Sequence, residues 1–297
     1  MVEKSIKWNL DDGSISLISD NDEERIILMR KGFMEAFFEE IRKVGGEDTL
    51  KITFRNLLTR LGAPQEFIDK PDIESYNKFC DQLIFPINYD PAQIPEFFNW
   101  DGKGREIKGF TNAVFWILPL KVLMTFKEVS AELLTERGAA AIIKAVARRA
   151  GLAVGEEAMS NYGWKEIDTA MNSMDGALSY SFPNLGWGKT NVAVNKDSDE
   201  NYMFYLKSWN TFESDNVTNK NPVCIILQHN MEGIGLGISG KFTGKANESK
   251  EVKCRALGDD YCAFAIKVKD KGVSALEWDK LKDEWQALDS VFSSPDG

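Results

Sequence analysis

Histidine is almost missing from this chain. His229 is the only one in 297 residues, which rules out His-rich catalytic metal sites and leaves little scope for a Ser-His-Asp or Cys-His pairing. Long apolar runs are missing too. None approaches the roughly 20 residues of a membrane-spanning helix, and the opening residues MVEKSIKWNLDDGS hold no apolar core of signal-peptide length. A cytoplasmic protein is therefore expected. Basic charge is in deficit, with 36 Lys and Arg against 46 Asp and Glu, net −10 at neutral pH. Such a surface repels phosphate backbones and anionic headgroups, so neither nucleic acid nor a membrane is an expected partner. Cysteine is scarce: there are four, with no C-x-x-C pair.

Hydrophobic residues make up 43% and charged residues 28%, the balance of a globular protein with a sizeable core. The length suits one large or two ordinary domains. Apolar and polar residues alternate over residues 5–29 around Asp11-Asp12-Gly13, which predicts a hairpin with Trp8, Leu10, Ile15 and Leu17 inward. From Ile26 the period becomes helical, with Phe33, Phe37, Ile41 and Val44 on one stripe ended by Gly45-Gly46. A second helix is expected over residues 47–61, closed by Gly62 and Pro64, and another over residues 73–84. Residues 64–110 are otherwise irregular, and Asp101-Gly102-Lys103-Gly104 is the expected boundary between a mainly helical N-terminal region, residues 1–110, and the rest. Further helices are expected over residues 120–134, 138–149 (stopped by Gly151) and 163–180. Strands are expected at 191–194 and 202–209. A terminal helix over residues 271–297 carries Trp278, Leu281, Trp285 and Leu288 at coiled-coil spacing.

Two motifs mislead. Pro183 to Thr190 ends like a phosphate-binding loop, yet Pro183 replaces its first glycine and a strand-like run follows where the motif needs a helix. Gly235-x-Gly237-x-x-Gly240 matches a dinucleotide fingerprint by letter, outside any recognisable strand–turn–helix unit.

Residues 221–267 hold three of the four cysteines: Cys224, Cys254 and Cys262. Glu251 stands three residues before Cys254 (E-x-x-C), and Gly258-Asp259-Asp260 forms a turn signal before Cys262 (G-D-x-x-C). Buried thiols, a Cys254–Cys262 disulfide and a zinc site are all compatible with this spacing. In a regular strand Glu251 and Cys254 point to opposite faces, so joint ligation needs a bulge or a strand end between them.

The run P-V-C, a Gly-spaced segment, E-x-x-C and G-D-x-x-C followed by alternating apolar residues resembles the 4-vinyl reductase domain family. These are hydrocarbon-binding domains, also found as sensor halves of bacterial phenol-responsive activators. The resemblance covers about residues 115–268. It implies a structural zinc held by Cys224, Glu251, Cys254 and Cys262. The fold it implies is α+β: a helix-backed antiparallel sheet with a zinc-stapled C-terminal hairpin, related to subunits of a vesicle-tethering complex, over residues 111–270. It also implies that the Gly-rich stretch packs as a helix and that Trp209, followed by Thr211-x-Glu213, lines a pocket. Tyr205 and Phe204 on the same strand are the accompanying ligand-contact candidates. The phenol sensors use a pocket histidine that has no counterpart upstream of His229, which favours a more apolar or bulkier guest than phenol.

The expected function is thus binding of a small hydrophobic ligand, with a homodimer formed through the first ~110 residues as in the related sensors. A tetrapyrrole carrier or vinyl-reductase role is the alternative the family name suggests, although no nicotinamide or flavin motif is found. A structural interaction module is the third reading. The ATPase and DNA-binding parts of the activators are not read in these residues, so direct gene activation is not expected.

Overall fold

The computed structural model of the chain describes residues 4–269, apart from residues 21, 97, 110–112, 197–201 and 244–245. The expected terminal helix lies outside the described residues. The class is α+β, as expected. By contact density the chain forms two compact units, Met1–Asn9 with Ser14–Val146, and Leu10–Gly13 with Ala147–Gly297.

The first unit carries more sheet than the sequence suggested. Strands β1 (Lys4–Asn9), β2 (Ser14–Ser19), β3 (Asp22–Arg30), β4 (Glu106–Lys108) and β5 (Val114–Pro119) form one antiparallel sheet in the order β1-β2-β3-β5-β4. Its centre is β3, where Ile26, Ile27, Leu28 and Met29 are all buried. A four-residue apolar run covered on both faces has no period of its own, which is why the helical period seemed to begin at Ile26. The helix starts instead at Lys31. In the hairpin Ile6, Ile15 and Leu17 point inward, whereas Trp8 is half-buried and Leu10 lies exposed in the turn beyond β1.

Helix α1 (Lys31–Arg60) is broken at Gly46, whose φ of 80° and ψ of 177° suit glycine alone. The two predicted helices are therefore its two halves. Helix α2 (Gln65–Asp69) and α3 (Ile73–Ile84) follow, and Asp72 caps α3 by accepting from the Ser75 N–H at 2.8 Å. Phe38 sits at the centre of the unit's core, with ring centroids of Phe54, Tyr76 and Phe126 at 5.0, 5.3 and 5.4 Å.

Helix α4 (Leu120–Tyr162) breaks at Thr135, as the expected end at residue 134 requires, but passes through Gly151 without stopping. The second unit explains this. Its helix α6 (Ile225–Thr243) is the Gly-rich stretch, and it crosses α4 with the two backbones in contact. A Cβ on Gly151 would stand 1.9 Å from the Asn230 carbonyl oxygen, and one on Gly233 would stand 2.0 Å from that of Arg148. Gly155 and Gly237 repeat the contact one turn along. The glycines thus serve close helix approach, and the dinucleotide fingerprint is discarded. The loop-like motif before residue 190 is discarded as well. It is the turn from α5 (Ile167–Asn184) into strand β6 (Lys189–Lys196), with φ of 74° at Gly186 and 109° at Gly188.

Strands β6, β7 (Tyr202–Trp209), β8 (Ala246–Lys253) and β9 (Cys262–Lys269) form an antiparallel sheet in the order β6-β7-β9-β8. Helix α6 packs on β8 and β9. Along β7, Leu206 and Ser208 register with Phe264 and Cys262. Met203, Tyr205 and Trp209 cluster on the other face with Tyr261, Ala263 and Ala265. Among the described residues no helix is long and apolar enough to cross a membrane.

Candidate metal centre

Each of the four donors is placed by an identifiable piece of backbone. Cys224 immediately precedes α6, and its carbonyl accepts the first helical hydrogen bond from the Gln228 N–H at 3.0 Å. Glu251 lies on β8, and the β8–β9 register shifts between Glu251 and Lys253. That irregularity resolves the opposite-face conflict seen in the sequence. Cys254 follows the last residue of β8, where its N–H donates to Asp259 Oδ2 at 2.8 Å. A single helical turn, Arg255–Leu257, and Gly258 at φ 101° then reverse the chain so that Cys262 can open β9.

These elements bring one ligand atom from each of Cys224, Glu251, Cys254 and Cys262 within 4.8 Å of one another, all four residues buried. The cysteines are free, with Cys224 Sγ 3.5 Å from Cys262 Sγ. A disulfide requires about 2.05 Å, so that alternative is set aside. Thiolates around a tetrahedral zinc at about 2.3 Å stand roughly 3.8 Å apart, close to the spacing seen.

The electrostatics of the cluster are those of acids crowded together out of water. Burial foremost, then the charge of Cys262, pushes the Glu251 carboxyl up to about 8. Cys224 is raised well above its ordinary value by its hydrogen bonds with Cys254 and Cys262 and by burial. At Cys254 the hydrogen bond with Cys224 pulls down, while that with Cys262, burial and Glu251 push up, leaving it at about 12. Cys262, which receives hydrogen bonds from Cys224 and Cys254, falls to about 2 and is the group that holds the charge. Glu251 Oε2 accepts from the Cys224 N–H at 3.1 Å, but its Oε1 is buried without a hydrogen-bond partner. An unsatisfied buried carboxyl oxygen beside three thiols is costly, and a cation that displaces the protons satisfies it.

The loop after β7 supports the sulfurs, a role the sequence reading did not assign. Thr211 Oγ1 lies 3.5 Å from Cys224 Sγ and 3.4 Å from Cys262 Sγ, and Ser214 Oγ lies 3.4 Å from Cys262 Sγ. Glu213 Oε2 accepts from the Leu227 N–H at 2.9 Å and so caps α6 from outside its own sequence. The available signal was the Thr211-x-Glu213 pair itself, read above as a pocket feature. Arg255 contributes its backbone N–H, 3.4 Å from Cys262 Sγ, while its guanidinium reaches Asn210 Oδ1. Lys253, between Glu251 and Cys254 in the chain, extends away to the Tyr261 hydroxyl at 2.6 Å.

The ligand-contact candidates do not converge. Trp209, half-buried, and Tyr205 lie on the face with Tyr261, where Lys207 Nζ stands 4.9 Å from the Trp209 ring centroid and 4.1 Å from that of Tyr261. Phe204 is fully buried at the alternate position. His229 Nδ1 is 2.9 Å from Glu232 Oε2, which also accepts from Ser249 Oγ at 2.5 Å. A Ser-His-carboxylate triad needs serine and carboxylate on different ring nitrogens. Here both approach Nδ1, at 3.5 and 2.9 Å, and the network is a strut between α6 and β8.

No family model matches the chain, and no curated protein does. Among solved structures, the phenol-responsive sensory domain of the transcription activator PoxR with phenol aligns at TM-score 0.47 and 16% identity, covering 66% of this chain and 94% of that one. A mutant of Cs H-NOX carrying the unnatural amino acid 4-cyano-L-phenylalanine aligns at 0.42 and 13%, covering 82% and 97%. A trafficking protein particle complex subunit 3 from Naegleria fowleri, covalently bound to palmitic acid, aligns at 0.34 and 19%, covering 52% and 97%. These scores and identities are too low to assign this chain a fold family or a ligand.

Glu251→Gln is expected to retain the fold in zinc-replete buffer while lowering zinc affinity at least tenfold, on the order of what losing one anionic donor costs. Competition with a chromogenic chelator checks it; unchanged affinity excludes Glu251 as a ligand.

Proposed function

We propose that the chain is a binding protein for a small hydrophobic molecule, its second unit stapled by one structural zinc on Cys224, Glu251, Cys254 and Cys262. The observation that carries the metal assignment is the buried, unpartnered Glu251 Oε1 within a cluster of three free thiols. Three sulfurs and a carboxylate fill the four positions zinc prefers, leaving none for a substrate, so the role is structural. When bound, the ion replaces the cluster's acidic protons as the source of positive charge. The protein's own part is to hold the donors: Thr211, Ser214 and the Arg255 N–H orient Cys262, and the start of α6 orients Cys224.

Ligand binding is supported by the family resemblance of residues 115–268 and by the aromatic face carrying Trp209, Tyr205 and Tyr261. An indole offers an apolar surface and one N–H donor, which suits a hydrocarbon-like guest with at most one polar atom. Trp209 is the leading contact, with Tyr205 beside it and Phe204 behind the same strand. Native mass spectrometry of freshly purified protein should show one zinc and one apolar adduct per chain. Trp209→Ala should lose the adduct and keep the zinc. Absence of any adduct from the wild type, or its full retention by the variant, overturns the binding assignment.

The same reading includes a homodimer through the first unit, where Val44 and Ile52 lie exposed on either side of the Gly46 break. Interfaces of obligate dimers bury on the order of 2,000 Å². Light scattering at micromolar concentration should give twice the 33.5 kDa chain mass. The chain mass itself would exclude the dimer.

A further inference from the structure

The four-stranded sheet of the second unit has two faces, and the unit's helices lie on one of them. Ser249 shares a face with Ile266 in the β8–β9 register, and its hydroxyl donates to Glu232 Oε2 on α6 at 2.5 Å. Helix α6 therefore covers that face, and α5 lies in the same layer, in contact with both α6 and β6. The opposite face carries Met203 and Tyr205 of β7 with Ala263 and Ala265 of β9. Each of these four is at most 4% exposed, and Lys207 among them is 8% exposed. An apolar sheet face this dry has a cover. Among the described residues, no helix of this unit packs there.

We propose that the chain's own residues 271–297 dock on this face as an amphipathic helix, through Trp278, Leu281, Trp285 and Leu288. The shape of the face suits them. Ala263 and Ala265 are flanked by Lys207 and Tyr205 on β7 and by Lys253 and Lys250 on β8. Small side chains between long ones leave a trough in which indole rings seat. The reach is right as well. Strand β9 ends at Lys269, which pairs with Ala246 at the end of the sheet away from Cys262. The next six residues, Asp270 to Ala275, extend to about 20 Å, enough to turn onto the face. A helix from Leu276 to Phe292 is about 25 Å long, the length of the eight-residue strands beneath it. Charge agrees with both. Lys207, Lys250, Lys253 and Lys267 occupy this face, with Glu248 the one acid among its described positions. The stretch from Leu276 to Phe292 carries Glu277, Asp279, Asp283, Glu284 and Asp289 against Lys280 and Lys282. Glu277 and Glu284 border the apolar stripe, where they meet the lysines rather than water. So short a tether also favours the same chain's segment over a second copy's. The cover is required with or without a guest at Trp209.

The test is zero-length carbodiimide cross-linking of the full chain, with linked peptides mapped by mass spectrometry after separation on a denaturing gel. Lys207, Lys250 or Lys253 should join to Glu277, Asp283, Glu284 or Asp289 in material running at the 33.5 kDa chain mass. Lys31–Glu106 and Lys121–Glu24, at 2.7 and 2.8 Å, are the positive controls. Absence of the expected links beside both controls overturns the proposal. Links found only at twice the chain mass do so too, because they place a second copy's segment on the face. Hydrogen exchange supplies an independent reading. Amides of residues 278–290 should exchange about a hundredfold or more slower than an unstructured peptide, and Leu281→Asp should remove most of that protection. Exchange at the unstructured rate in the wild type, or undiminished protection in Leu281→Asp, overturns the proposal.

Discussion

Cys254→Ala is expected to abolish folding of the second unit. Cys254 joins the end of β8 to the turn leading into β9, and Cys224 joins that hairpin to the start of α6. A structural zinc site contributes on the order of 10 kcal/mol to folding, comparable to the whole stability of a domain. The substitution should leave insoluble protein, or soluble protein whose near-UV dichroism and cooperative melting are largely lost. Chelator should do the same to the wild type, reversibly on adding zinc. The dependence on pH has a defined sign. Near pH 7 the folded cluster retains protons on Cys224, Cys254 and Glu251, which sit above their ordinary values, while Cys262 has already lost its own. Zinc must displace those three, and an unfolded chain would give up about the same number, from three thiols with ordinary pKa near 8.5. Apparent zinc affinity should therefore fall about a thousandfold per unit of acidification below neutrality. Calorimetry in buffers of different ionisation enthalpy counts the protons directly.

Gly151→Ala should destabilise the second unit by roughly 3 kcal/mol or more, since the added Cβ falls 1.9 Å from the Asn230 carbonyl oxygen and 3.0 Å from the Ile234 nitrogen. Those atoms are backbone on a helix that the cluster anchors at its first turn, so α6 cannot step aside without moving Cys224. Gly176→Ala on α5, with nothing within 4 Å of its Cβ position, is the control. It should be neutral or stabilising by up to about 1 kcal/mol, because alanine is the better helix former. Denaturant melts of the two variants separate a helix-packing role for Gly151 from a general dislike of substitution in this region.

What was readable in the chain follows the range of the forces involved. Gly45-Gly46, Asp72 and the apolar stripe of residues 73–84 act within a few residues, so α3 and the break in α1 appear where they were expected. Glu251, Cys254 and Cys262 were legible as a candidate set because E-x-x-C and G-D-x-x-C are local, and because the conflict between Glu251 and Cys254 called for a bulge or a strand end, whereas Cys224 joined them only through the family resemblance. The five-stranded sheet was not legible beyond its first hairpin. Strand β5 pairs with β3 across about 90 residues, and the run at residues 26–29 is too short to reveal its period. Gly151 reads as a helix stop in isolation; only the approach of Gly233 and Gly237 from a distant helix shows why the chain continues through it. Thr211, Ser214 and Glu213 belong to the metal centre solely through tertiary contacts.

The central claim is that three cysteines and one glutamate hold a metal that folds the second unit. Metal analysis with zinc-edge X-ray absorption, on protein purified without chelator, tests it most directly. The account predicts one zinc per chain with three sulfur ligands at about 2.3 Å and one oxygen at about 2.0 Å. Well under half an equivalent of zinc, or a first shell containing imidazole nitrogen, would contradict it.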